Sequence, residues 1–114
     1  MVKKGWMVID FQNRKFVSSS AFGEKGSVNY SFKQYGHIVQ GSFYRGEEHF
    51  GQIIGWINTL GVMNFTFSMR DRASMYHAGT GSIEIKNSYL IGKCFWSEGK
   101  LNLEDQFLLH EASS

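Results

Sequence analysis

Met63-Asn64-Phe65-Thr66-Phe67-Ser68-Met69-Arg70 alternates strictly between apolar and polar residues. A period of two puts the four large apolar side chains on one face of a strand and the polar ones on the other. A helix would need apolar residues at i, i+3 and i+4, and this stretch does not supply them. The same alternation runs upstream through Val28, Tyr30 and Phe32, and downstream through Ile83 and Ile85. Turn signals break these runs at Tyr35-Gly36, Arg45-Gly46, Leu60-Gly61, Asn87-Ser88 and Glu98-Gly99. Glycine supplies the positive φ that tight hairpin turns demand.

Strands are expected near residues 6–11, 14–19, 27–35, 37–45, 49–58, 62–70, 74–86, 89–97 and 100–110. Consecutive strands with short loops make an antiparallel meander, which exposes two edges unless it closes. Gly41, Gly51, Gly55 and Gly92 fall inside expected strands, and glycine kinks permit the curvature of a closed wall. The expected fold is therefore all-β: residues 1–114 as one domain, a meander of about eight or nine strands closed into a small up-and-down barrel, lipocalin- or avidin-like in outline. Gly79 and Gly81 in the long seventh run predict a bulge or bend. Phe50 to Ile57 is apolar on both faces, which predicts a covered outer side or a partner surface, such as that of a homodimer.

Composition agrees with a packed domain. The chain has 114 residues, 42% apolar and 16% aromatic, with 13 Gly and no Pro. A chain of this length buries well over half of its unfolded surface without needing a disulfide or metal. The formal charge of +2 is too small to indicate nucleic acid or an anionic membrane. Cys94 is the sole cysteine, which suits a reducing compartment, and no apolar run reaches a membrane span. Nor do the apolar residues after Lys3-Lys4 form a secretory core, so a cytoplasmic location is expected.

Catalytic signatures are missing. The sequence has no Walker A run, G-x-G-x-x-G, C-x-x-C, H-E-x-x-H or G-x-S-x-G. His37, His49, His77 and His110 lack metal-ligand spacing, and neither metal nor cofactor is expected. Cys94, in an apolar run, reads as a small buried hydrophobe. Glu104 and Asp105 are adjacent and would point to opposite faces of a strand, which prevents a dyad; with Glu98 and Glu111 they read as a wet outer face. His77 could bond a ligand from the interior, and Arg70 could grip an anionic group. Tyr44, Trp56, Phe65, Phe67 and Trp96 could line a cavity for an apolar or planar molecule, or fill the core. The candidate site is thus Tyr44, Trp56, Phe65, Phe67, Arg70, His77 and Trp96, with no catalytic residue among them.

Gly36-His37-Ile38-Val39, Tyr44 and Gly46, then Gly51-Gln52-Ile53-Ile54-Gly55 and Gly61 resemble a family of small bacterial proteins often labelled N-acetylglutamate synthase. The match is firm over 36–61 and extends loosely over 6–111, with Lys93, Phe95, Trp96 and His110-Glu111 roughly in step. The chain departs from the pattern at Glu47, where a second turn glycine stands, and at Phe95-Trp96, in place of W-x-W. The label implies an acetyl-CoA-dependent transferase. The chain carries no Q/R-x-x-G-x-G/A turn of the kind that cradles pyrophosphate. Three functions follow as expectations: a non-enzymatic barrel with a small apolar or aromatic ligand inside, the acetyltransferase of the family label, or a structural protein acting as a homo-oligomer.

Overall fold

The computed structural model describes residues 11, 14–21, 24–46, 48–70, 73–85, 89–98 and 100–111. Eight strands follow one another in the chain: β1 (Lys15–Ala21), β2 (Glu24–Tyr35), β3 (Ile38–Arg45), β4 (Glu48–Ile57), β5 (Val62–Arg70), β6 (Tyr76–Ile85), β7 (Leu90–Glu98) and β8 (Leu101–Glu111). Each pairs antiparallel with its chain neighbours, and β8 returns to β1, so the meander closes as a barrel. The all-β closed meander read from the alternation is what the chain forms. Residues 6–10 of the expected first strand lie outside the described residues.

Alternation decides which side chains enter. Met63, Phe65, Phe67 and Met69 are buried inside, while Thr66 and Ser68 face out. Gly36 and Gly46 turn their hairpins at φ 62° and 60°. The turn after β4 is built on Asn58, whose Oδ1 accepts from the N–H of Leu60 at 2.8 Å and of Val62 at 3.1 Å. One end of the barrel is stoppered by Phe11, fully buried against Phe16 and Phe32 at 5.9 and 5.1 Å between ring centroids. Its N–H donates to Gln34 Oε1 at 2.7 Å.

The interior is a stack of rings laid over glycines. Phe32 lies directly across from Gly41, Phe43 from Gly51, Phe67 from Gly79 and Phe107 from Gly92. Phe65 has Gly55 on one side and Gly81 on the other. A methyl on Gly41 would meet the Phe32 ring at 2.7 Å, and one on Gly51 would overlap the Phe43 ring. Each ring folds onto bare backbone that any Cβ would occupy. This corrects the bulge expected at Gly79 and Gly81. The register of β6 runs unbroken against both neighbours; those glycines receive the Phe67 and Phe65 rings with no extra residue inserted.

The observed irregularities are elsewhere. One register shift separates Ser18 from Ser20 in β1, opposite the stretch of β2 that holds Gly26 at φ 129°. The other separates Phe43 from Tyr44 and leaves Phe50 as the extra residue of β4. Phe50 turns inward and meets Phe43 edge-on at 4.9 Å and 89°, a geometry worth about 0.5–1.5 kcal/mol beyond area burial. The Arg45 guanidinium caps its other face at 4.0 Å. Among the described residues the β1–β8 seam is the shortest pairing, with two residue pairs. Arg14 clips it, donating to Glu111 at 2.8 Å from Nε and 2.5 Å from Nη2.

No helix of the described residues is long and apolar enough to cross a membrane. The outer wall is mixed, with Tyr35, Ile38, Ile54, Trp56 and Phe95 exposed beside polar residues. Here Lys33, Gln40 and Gln52 are exposed outside while rings fill the interior.

The two kinds of glycine contact separate in a double-mutant cycle. The nearest atoms to a Cβ at Gly51 all belong to the Phe43 ring, whereas one at Gly81 also strikes the backbone oxygen of Lys93. Each single change should cost about 1–3 kcal/mol in urea unfolding, the range for overpacking. Adding Phe43→Leu should recover most of the Gly51→Ala loss, and Phe65→Leu should recover little of the Gly81→Ala loss. Equal recovery in both pairs would contradict the ring-over-glycine account.

Candidate functional site

The residues singled out from the sequence divide between the two sides of the wall. Phe65 and Phe67 are inside, under the glycine rows. Trp96 is also inside, near the end of the barrel away from Phe11. His77 sits nearby with little of its side chain exposed, its Nε2 3.8 Å from Glu98 Oε2. Trp96 Nε1 donates to the same oxygen at 3.3 Å. Tyr44, Trp56 and Arg70 are on the outer wall. Arg70 is spoken for by Glu48 at 2.7 Å, and Trp56 is 51% exposed. The structure therefore joins His77 with Trp96 at one rim and separates both from Tyr44, Trp56 and Arg70. Glu98, grouped by sequence with the wet C-terminal acids, is the partner that joins them.

Asp105 departs from that same grouping. Glu104 faces out, as adjacency on a strand requires, but its neighbour Asp105 then faces in, directly opposite Cys94. Asp105 Oδ2 is buried without a hydrogen-bond partner. The Tyr30 phenol, hydrogen-bonded to Ser18, shares this part of the interior. Burial pushes the Tyr30 hydroxyl well above the usual tyrosine range. Burial likewise pushes the Cys94 thiol up to about 12, with the Asp105 charge adding to it. A thiol held so far from ionisation is neither a nucleophile nor a metal ligand at neutral pH. Among the described residues no cluster of His, Cys, Asp or Glu could hold a metal ion.

Two grooves lie on the outer wall. A groove of about 990 Å³ crosses the outer wall from Arg14 and Lys15 to Ala78 and Gly79. A second, of about 360 Å³, continues from Ala78 and Gly79 to Asn102 and Glu104. Both follow one line of register partners around the barrel: Phe32, Gly41, Ile53, Phe67, Gly79, Trp96 and Leu103. The inward members of this line include two of the ring-covered glycines, Gly41 and Gly79. The rings of Phe32 and Phe67 fill the space inside these glycines, and the grooves lie on the opposite, outer side of the same line. The larger groove is a trough whose floor and sides are the outward neighbours of the line, among them Ser31, Ser42, Gln52 and Ser68, with the Tyr44 ring and Ile54 as apolar contacts. Tyr44 is thus a candidate from the sequence that the structure places in the trough. The polar members were hard to find from sequence, because single serines and glutamines on separate strands form no motif.

The thiol gives a pH test with a definite sign. A folded-state value above the unfolded 9.0 means the stabilising contribution is full below about pH 9 and is lost as pH rises toward 12. Unfolding free energy should begin to fall near pH 9, by up to about 1.4 kcal/mol per pH unit for this group. Cys94→Ala should delay that decline toward the onset of Tyr30 ionisation. Native Cys94 should also react with a thiol reagent no faster than the protein opens, and readily in urea.

No protein-family model, curated protein or solved structure matches the chain, so its function is read from the trough and the rim themselves.

Proposed function

We propose that this protein is a non-catalytic binding barrel that holds its ligand on the outer wall, in the groove over β2–β6. The observation that carries the reading is the 990 Å³ groove itself, set outside a wall whose interior is occupied by rings. Binding sites are concave, with apolar surface and a few polar groups that fix orientation. The groove has Tyr44 and Ile54 for the first and Gln40, Gln52 and Ser68 for the second. The interior offers less: at Gly51 and Gly92 even a methyl would overlap the Phe43 and Phe107 rings. Acetyl transfer draws no support from the described residues, which form no helix N-terminus to cradle a pyrophosphate.

Amide NMR with a panel of small aromatic acids tests the site. Shifts should gather at Gln40, Gln52 and Ser68 and spare Val39 and Ile83. Ser68→Trp, an exposed substitution that fills the groove, should abolish them without lowering the unfolding midpoint. Shifts that gather at the buried positions instead would return the ligand to the interior and refute the outer-wall site.

A second reading, self-association, is favoured by one row of the outer wall. Tyr35, Ile38 and Trp56 are register neighbours on β2, β3 and β4 and are 58%, 44% and 51% exposed. Adjacent exposed apolar side chains of this size mark a contact surface. Sedimentation velocity should show a dimer that Trp56→Lys converts to monomer. A monomer at every accessible concentration removes the reading.

A further inference from the structure

The groove over β2–β6 has a repeat, and the repeat points to the chemistry of its ligand. It runs across the strands, so each strand contributes side chains at intervals of roughly 4.8 Å, and the five strands span about 19 Å. On β3 the contribution is Gln40 and Ser42, on β4 Gln52, and on β5 Thr66 and Ser68. Hydroxyls and amides both donate and accept, and they carry no charge. A surface of this composition matches a ligand dense in hydroxyl groups. A linear pyranose chain advances by about one inter-strand spacing per sugar, so successive sugars would meet successive strands in equivalent positions.

Two further features narrow the class. Tyr44 lines the groove, and an aromatic side chain is a surface on which the C–H face of a sugar can pack. At the β1–β2 end lie Arg14, Lys15 and Lys33, while no carboxylate is among the described residues lining this groove. Arg14 is engaged by Glu111. Lys15 and Lys33 are exposed and form no ion pair among the described residues. Two uncompensated ammonium groups at the end of a neutral polar trough select a negative charge there.

We infer that the groove binds a linear acidic oligosaccharide, laid across the strands with a carboxylate against Lys15 and Lys33. The inference rests on the outer-wall reading above and adds the ligand class to it. The second groove, which shares Ala78 and Gly79, carries the exposed Glu104 carboxylate, so the path that suits an acidic chain ends at β6.

Titration with hexagalacturonate, cellohexaose and a hexaglutamate peptide, followed by amide NMR and calorimetry, tests it. Hexagalacturonate should bind with shifts at Ser42, Gln52 and Ser68, at least tenfold more tightly than cellohexaose, and lose that advantage in 0.5 M salt, where the screening length is about 4–5 Å. Lys33→Glu should weaken hexagalacturonate about tenfold or more and leave cellohexaose unchanged. Tyr44→Ala should weaken both sugars. Hexaglutamate binding as tightly as hexagalacturonate, or equal binding of the two sugars, overturns the inference while leaving the groove as the site. Silence from all three probes, together with groove shifts from the aromatic acids, also overturns the inference alone. Silence from every probe overturns the outer-wall reading with it.

Discussion

A phenylalanine ring lying on a glycine across the ladder is the contact on which the rest of this barrel depends. A chain of this size has many rings to bury and little interior to put them in. Pairing a ring with a glycine resolves the conflict, because the ring occupies the volume that the neighbouring side chain has vacated. Phe65 does this twice, against Gly55 and Gly81. Glycine inside a strand weakens it through backbone entropy, by about 0.5–1 kcal/mol relative to alanine. The ring covering the bare backbone offsets that loss through burial, roughly 1.5–3 kcal/mol for a fully buried phenylalanine. Neither partner would be stable in its place without the other.

The same pairing has a counterpart outside. Gly41 and Gly79 fall on one register line, and the outer groove follows that line across the strands. Outward positions along the trough then face each other across a concavity instead of splaying into solvent. Small polar residues occupy them. The inner rows thus hold the fold together, and the outer rows are left free of packing demands. This division explains why the rim group of His77, Trp96 and Glu98 is a poorer candidate site: its members also pack the end of the core.

The strands were legible in the sequence because alternation is local. Met63 to Arg70 reads as a strand from eight residues, and β5 spans Val62–Arg70. Barrel closure was legible from the glycines, although their action is different from the expected one: Gly79 and Gly81 admit rings and do not bulge the strand. The side of the wall each aromatic occupies was less accessible. Trp56 and Tyr44 look like core residues by type, yet β4 alternates Ile53 in and Ile54 out, which carries Trp56 outside. The bulge that inserts Phe50 depends on β3 and β4 together and leaves no trace in either strand alone. The trough was invisible for the same reason, since its line joins residues far apart in the chain.

The residues behind the family resemblance fall into two groups on the molecule. Gly36, Gly46 and Gly61 hold positive φ in turns. Gly51 and Gly55 lie on the inner face, against Phe43 and Phe65. Val39 and Ile53 are core. These positions specify a barrel and would be required by any protein that shares its wall, whatever that protein binds. Tyr44 and Ile54 are different: they belong to the residues that carry the resemblance, yet they line the outer groove. Nothing in the ring-over-glycine packing requires an aromatic or an aliphatic side chain at these outward positions; they are the apolar surface that the proposed outer-wall ligand would contact.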